Sequence, residues 1–553
     1  MPAIRTRRIA LAALAALLAW LPPAHAQPRI DREVVDRFRL LDDPADLDFL
    51  EQRIKQLVAE EAERIGGRPR ITQPMRRSPK QDESTLRPAK TAWNEREARY
   101  PQGWAFAERW RLKLSVTPSP GTSATCNWSV DGAPQQGSCA GFEPAAALAN
   151  GQRVAVTVRD AAAREPRMLE WTVAVADRLI LALGDSYGSG EGYPDVSLRM
   201  RDWWNAAENR WDRVPVPGQW WDQRCHRSLF SGPAMAAVRF AHERRRESTT
   251  FMSYACSGAE VEGDPGRGSG GLLTGYEGRE IPLHLQRNVE YFPDLGFVAP
   301  PNGDPLPAQL HAAMRDLCRG RFSVHDGAAR CEGELRVPDA VVVSIGGNDL
   351  GFGEVIRDMI LGSCRERCIR EIAEPRLPEL AGRYDKVAAA LAAQLRAPRV
   401  LLMEYPNPTR YDDGAFCDDR RYPRSGTPGE LRAISLGLIA IGEKEYALAH
   451  DRIYVPLLKA GADATRRHAA RGWQRIPIMR EPSDRKGVCA RSRWINDPNV
   501  ALSRIGMLDE AWTDDGRRVG GIPTGSFHPN FYGYFNYALR IREHLDRALP
   551  PSR

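Results

Sequence analysis

Four short stretches set reactive or polar side chains among glycines. They are "LALGDSYGSGEG" at 181–192, "ACSGA" at 255–259, "GGND" at 346–349 and "GSFHPNFYGY" at 525–534. A serine hydroxyl is a poor nucleophile at its ordinary pKa, and an adjacent imidazole is the usual activator. Glycines beside it let backbone N–H groups approach a substrate without side chains in the way. Ser186 is the candidate nucleophile and His528 the candidate base. No histidine precedes Ser186 except His25, which lies in the N-terminal leader described below. Serine hydrolases whose histidine precedes the serine are thereby excluded. His242, His450, His468 and His544 sit in helical or charged stretches and read as surface residues, and His226 in "CHRS" as a structural one. "GDSYG" also fits the G-x-S-x-G elbow of α/β-hydrolases, but that fold carries several strands before its elbow. Here the serine ends the first strand of its own domain.

The elements around these residues alternate. From Arg178 onward, apolar runs "RLILALG", "TFMSYACSG", "AVVVSIGGND", "RVLLMEYP" and "RIYVPLL" read as strands. Between them "GPAMAAVRFAHERR", "RYDKVAAALAAQL" and "GELRAISLGLIAIGEKEYALAH" read as helices. Such alternation predicts an α/β domain with a mostly parallel sheet covered on both faces. Ligands of such sheets sit at the carboxyl ends of the strands. Three of the four stretches end predicted strands, and His528 precedes a C-terminal helix.

All four stretches, in this order, resemble the blocks of the SGNH (GDSL) hydrolases over about residues 178–548, and in particular the secreted esterase and lipase branch. The resemblance implies a flavodoxin-like three-layer α/β/α sandwich. It implies Ser186 as nucleophile and His528 as base. It also implies an oxyanion hole made by the N–H groups of Ser186 and Gly258 and the side-chain amide of Asn348. The implied reaction needs no cofactor and no metal. The family often carries an acid three residues before the histidine; here that position is Gly525. Some members of the branch run a Ser–His dyad oriented by a backbone carbonyl, and this chain resembles those. Asp514 and Asp515 lie upstream as possible substitutes.

The rest of the chain frames this domain. Residues 1–26 combine Arg5, Arg7 and Arg8 with an apolar run and Ala24-His25-Ala26, the pattern of a cleaved secretory signal. Its apolar run is short for a membrane span. Losing those three arginines takes the formal charge from +7 to +4, spread along the chain, which argues against nucleic acid as a partner. Residues 27–104 read as a helix followed by an Arg/Pro-rich linker. Residues 105–177 show period-two alternation and turn signals, and predict a small immunoglobulin-like β-sandwich acting as a spacer. Residues 178–553 form the catalytic domain. An exported chain with 10 cysteines suggests disulfides. The sequence-local pairs are Cys126–Cys139, Cys225–Cys256, Cys318–Cys331 and Cys364–Cys368, which leaves Cys417 for Cys489. Spacing alone does not fix the connectivity, and the competing reading of Cys364-x-x-x-Cys368 is a zinc site. Trp203, Trp204, Trp211, Trp220 and Trp221 crowd a long insertion and read mainly as packing.

The expected protein is a secreted or periplasmic monomer, with no membrane segment after signal cleavage. It cleaves carboxylic esters, whether of lipids, short-chain esters or acetylated glycans. The other readings are a polysaccharide O-acetyl esterase and a carbohydrate- or envelope-binding protein on a degenerate hydrolase fold.

Overall fold

The computed structural model describes residues 28–66, 89–117, 124–158, 166–205, 210–263, 270–275, 306–360, 366–418, 441–478, 483–506, 511–512, 518–519 and 523–552. The expected signal peptide, Cys364, Asp514 and Asp515 lie outside them. Two compact units are present: Met1–Val35 with Glu108–Val175, and Asp36–Ala107 with Ala176–Arg553.

The first unit is antiparallel β-structure. Ala133–Ser138, Thr125–Val130, Arg153–Val158 and Arg167–Thr172 form a sheet in that order, and Arg29–Val34 pairs with Leu112–Thr117. Alternation decides which side chains go inside: Leu112, Leu114, Val116, Trp128, Val154, Val156 and Val158 are all buried. Trp128 stacks on Phe142 at 4.8 Å between ring centres, and Cys126 is bridged to Cys139.

The second unit is built on six parallel strands. In chain order they are β1 (Phe38–Arg39), β2 (Asp177–Gly184), β3 (Ser248–Ser253), β4 (Ala340–Ser344), β5 (Val400–Met403) and β6 (Trp473–Ile476), lying side by side as β6-β5-β4-β2-β3-β1. Counted from β2, the order is the 2-1-3-4-5 of the flavodoxin-like sheet, with β1 added at its edge. β3, β4 and β5 are buried along their whole length, as are the last six residues of β2. That burial is why these strands read as unbroken apolar runs rather than alternating ones.

Two sets of helices cover the sheet. α1 (Ala45–Gly66), α3 (Gly232–Glu243) and α7 (Phe531–Ala548) pack on one another. α5 (Glu374–Ala390) packs on α6 (Val455–Arg467), and α4 (Gln309–Asp316) on the turn that extends α5. The result is a three-layer α/β/α arrangement. α3 is rich in small residues, with Ala234, Ala236, Ala237 and Ala241 buried, so it can lie close between sheet and neighbour. Residues 89–107 contribute to this core: Tyr100 is fully buried and its hydroxyl accepts from the Ser253 N–H at 2.9 Å.

One predicted strand is helical. "RIYVPLL" lies across His450–Tyr454 and the start of α6. Ile453, Leu457 and Ala464 are buried while Val455 is 45% exposed, a helical spacing that a short apolar run conceals. The sixth strand is instead β6, whose "WQRI" has only its two end residues buried. Among the described residues no helix is long and apolar enough to cross a membrane.

Candidate active site

β2 carries the first block to the carboxyl end of the sheet. There the Asp185 N–H donates to the Ser344 carbonyl of β4 at 2.7 Å. Asp185 then caps a one-turn helix, α2 (Ser186–Ser189), its carboxylate accepting from the Tyr187 N–H at 3.0 Å. The same carboxylate accepts from the Ser344 hydroxyl at 2.8 Å and from the Tyr405 hydroxyl. Burial pushes the Asp185 carboxyl up to about 6, against the pull of those donors. This carboxylate therefore ties the turn under Ser186 to β4 and to the loop after β5.

The second block follows β3. The Cys256 N–H donates to the Gly184 carbonyl at 2.9 Å and continues the β2–β3 register past the last paired residue. A disulfide joins Cys256 to Cys225, and the Ser257 N–H donates to the Cys225 carbonyl at 3.2 Å. Gly258 has φ +77° and empty space where a Cβ would stand. That left-handed conformation suits glycine and leaves its backbone unobstructed.

The third block follows β4. Asn348 opens a short turn, and its amide donates to the Ala259 carbonyl at 3.0 Å, linking this block to the second. An amide has two N–H donors, so one is left for another acceptor. The next residue, Asp349, is buried, accepts from the Val261 N–H and pairs with Arg383 at 2.7 Å.

His528 comes from the loop before α7. Its Nε2 lies 2.7 Å from the Ser186 hydroxyl oxygen, and its Nδ1 lies 2.9 Å from the Ser526 carbonyl. A carbonyl only accepts, so Nδ1 carries the proton and Nε2 is free to accept from serine. Among the described residues, then, the partner of Nδ1 is a neutral oxygen. Gly525, at the position of the family's acid, has φ +80°, and a Cβ there would meet Ile505 Cδ1 at 2.5 Å.

Several residues that the sequence reading did not single out hold these groups. Asn496 anchors the histidine loop: its N–H donates to His528 O at 2.8 Å, its carbonyl accepts from Phe527 N at 2.9 Å, and its amide donates to Gly192 O at 2.7 Å. The Tyr187 hydroxyl donates to Phe527 O at 2.7 Å. The Tyr534 hydroxyl donates to Ser186 O at 3.3 Å and accepts from Gly192 N at 3.2 Å. Burial raises the Tyr187, Tyr405 and Tyr534 phenols, which stay protonated as donors. Glu191 is buried; it accepts from the Ser257 hydroxyl and stands 3.5 Å from His528 Nε2. Tyr187, Glu191 and Tyr534 lie inside the first and last blocks, whereas Asn496 and Tyr405 carry no such local signal.

The other predicted residues fall as follows. Cys318–Cys331 and Cys417–Cys489 are bridged, and Cys368 is also disulfide-bonded, its expected partner Cys364 being outside the described residues. Trp220 and Trp221 are buried; Trp220 stacks on His226 at 4.1 Å, and Arg227 lies 5.7 Å from the Trp221 ring centre. Nothing is described of the side chains of Trp203, Trp204 and Trp211.

In strand order and in the residues at its strand ends the chain resembles the SGNH hydrolases. No protein-family model and no curated protein matches it. Solved structures similar to it include the extracellular lipase from Streptomyces rimosus, at 18% identity and a TM-score of 0.35, covering 66% of this chain and 99% of that one. The phospholipase A1 from Streptomyces albidoflavus matches at 17% and 0.32, covering 67% and 99%. A family two carbohydrate esterase from Clostridium thermocellum matches at 11% and 0.26, covering 77% and 86%.

Proposed function

We propose that this chain is an exported serine hydrolase of the SGNH type acting on carboxylic esters through a Ser–His dyad. The observation that carries the reading is the Ser186–His528 contact at 2.7 Å, with Nδ1 engaged by a carbonyl. Ser186 Oγ attacks the ester carbonyl while His528 Nε2 takes its proton. The tetrahedral oxyanion is held by the N–H groups of Ser186 and Gly258 and by the free amide N–H of Asn348. His528 returns the proton to the leaving alkoxide, the alcohol departs, and an acyl-serine remains. Water, activated by the same imidazole, then releases the acid and restores the serine. Export to a periplasm or beyond the cell is supported by the bridged cysteines, which persist in oxidising compartments.

A fluorophosphonate probe should label Ser186, and p-nitrophenyl esters of rising chain length should be turned over. Ser186→Ala should abolish both with the fold unchanged. Turnover near wild type in a clean Ser186→Ala preparation would overturn the assignment.

A further inference from the structure

Glu191 stands at the reaction centre without a part in the scheme above. It follows α2 by two residues and is 5% exposed. Its Oε2 accepts from the Ser257 hydroxyl and lies 3.5 Å from His528 Nε2, the nitrogen that contacts Ser186. When imidazole takes the serine proton, a positive charge appears in a half-buried place. In a triad a carboxylate at Nδ1 meets that charge. Here Nδ1 faces the neutral Ser526 oxygen.

We infer that Glu191 is the anionic partner of His528, a positioning carboxylate that meets the imidazolium from its Nε2 edge and is held there by Ser257. This rests on the serine-hydrolase reading. The distance suits the role. At 3.5 Å the carboxylate attracts the charge but makes no short hydrogen bond that would capture the Nε2 proton. The proton stays on Nε2 and goes to the leaving alkoxide, and Glu191 neither gains nor loses one. Among the described residues, Tyr187, Tyr534 and Asp185 are the other titratable groups that bear on this pair. The Tyr187 ring lies 5.2 Å from the imidazole, and its phenol, like that of Tyr534 from α7, is kept neutral by burial beside Glu191. Asp185, below the serine, is engaged by Tyr187 N, Ser344 and Tyr405. Ser257 precedes Gly258, so the same carboxylate also fixes the second block, and the test must separate charge from scaffolding.

The test is the pH profile of p-nitrophenyl acetate hydrolysis by the full chain, for wild type, Glu191→Gln, Glu191→Ala and Ser257→Ala, with circular dichroism as the check on folding. Removing the charge should lower kcat about tenfold to a hundredfold. It should leave KM little changed and move the acidic limb to lower pH. Glu191→Ala provides the second neutral variant should Glu191→Gln not fold. Ser257→Ala keeps the charge and should keep the limb in place. An unmoved limb in the neutral variant that folds overturns the inference, as does a Ser257→Ala limb that moves equally far. If wild type neither hydrolyses the ester nor takes the fluorophosphonate at Ser186, the hydrolase reading falls with it. If wild type is active and the neutral variants match it, only the role of Glu191 falls.

Discussion

The hydroxyl of Tyr187 donates to the main-chain oxygen of Phe527 at 2.7 Å, so the residue after the nucleophile holds the residue before the base. Phe527 adopts φ +62°, and its N–H is taken by Asn496. The spacing between Ser186 and His528 is therefore set by a tie between their immediate neighbours.

Tyr187→Phe should loosen that tie. A buried carbonyl loses its donor, at a cost of about 1–3 kcal/mol. The expected outcome is a lower melting temperature and a fall in kcat of roughly tenfold, with KM little changed. Steady-state kinetics and thermal melting of the same preparation check it; a variant equal to wild type in both would show that the tie is idle.

Asn348→Ala should lower kcat by roughly 10²–10³, the usual effect of losing one oxyanion donor. It also removes the link to Ala259, so melting must be measured alongside. A change confined to KM would make Asn348 a binding residue instead.

Restoring the family's acid should fail. Gly525→Asp would force a side chain into φ +80° and against Ile505, with strain on the order of 1–3 kcal/mol. Reduced stability and no gain in rate are expected. Asp514→Asn and Asp515→Asn, both outside the described residues, should each keep most of kcat because Nδ1 already has the Ser526 oxygen. His528→Ala should lose nearly all of it. An Asp→Asn change as damaging as His528→Ala, in a folded chain, would reveal a displaced triad acid.

Stability should fall as pH rises from about 4.5 to 7.5. Burial pushes Asp185 up to about 6 and both Asp195 and Glu95 up to about 7. Asp195 and Glu95 are half-buried residues, but their carboxyls are enclosed by the 221–229 segment: Asp195 accepts from Trp221 N, Leu229 N and Ser228, and Glu95 from Gln223 N and Arg224 N. In the unfolded chain these acids titrate near 4. Between the unfolded and folded values the native state binds more protons, so raising pH favours unfolding. Above about 7.5 the effect levels off. The carboxyls held below their ordinary range, such as Asp385 and Asp412, act on the acid side of this window. Melting temperatures across the window should decline in wild type and decline less in Asp195→Asn. Equal slopes would remove Asp195 from the account.

The groups that were legible in the sequence share one property: each ends a strand or opens a helix within its own few residues. Ser186, Gly258 and Asn348 follow β2, β3 and β4, and His528 precedes α7. What the supporting residues bind is not legible there, even where the residue, like Tyr187, lies inside a block. Tyr187 acquires its partner 340 residues away, Tyr405 meets Asp185 across 220, and Asn496 meets Gly192 across 304. Only the folded sheet brings such pairs together. The same limit explains "RIYVPLL", where apolar content fits strand and helix alike, and β6, which is too short and too polar in the middle to stand out.

The two residues of β1 have a consequence out of proportion to their length. Phe38 and Arg39 cap the open side of β3, pairing with Thr249 and Thr250. A chain begun at residue 178, where the sequence first looks like an enzyme, would lose this pairing and the Tyr100 hydroxyl that receives the Ser253 N–H, and would leave β3 as an uncovered edge of the sheet. Such an edge recruits strands from other copies. The fragment that carries every proposed catalytic group should thus be the one that aggregates, and the segment far upstream acts as its solubility guard.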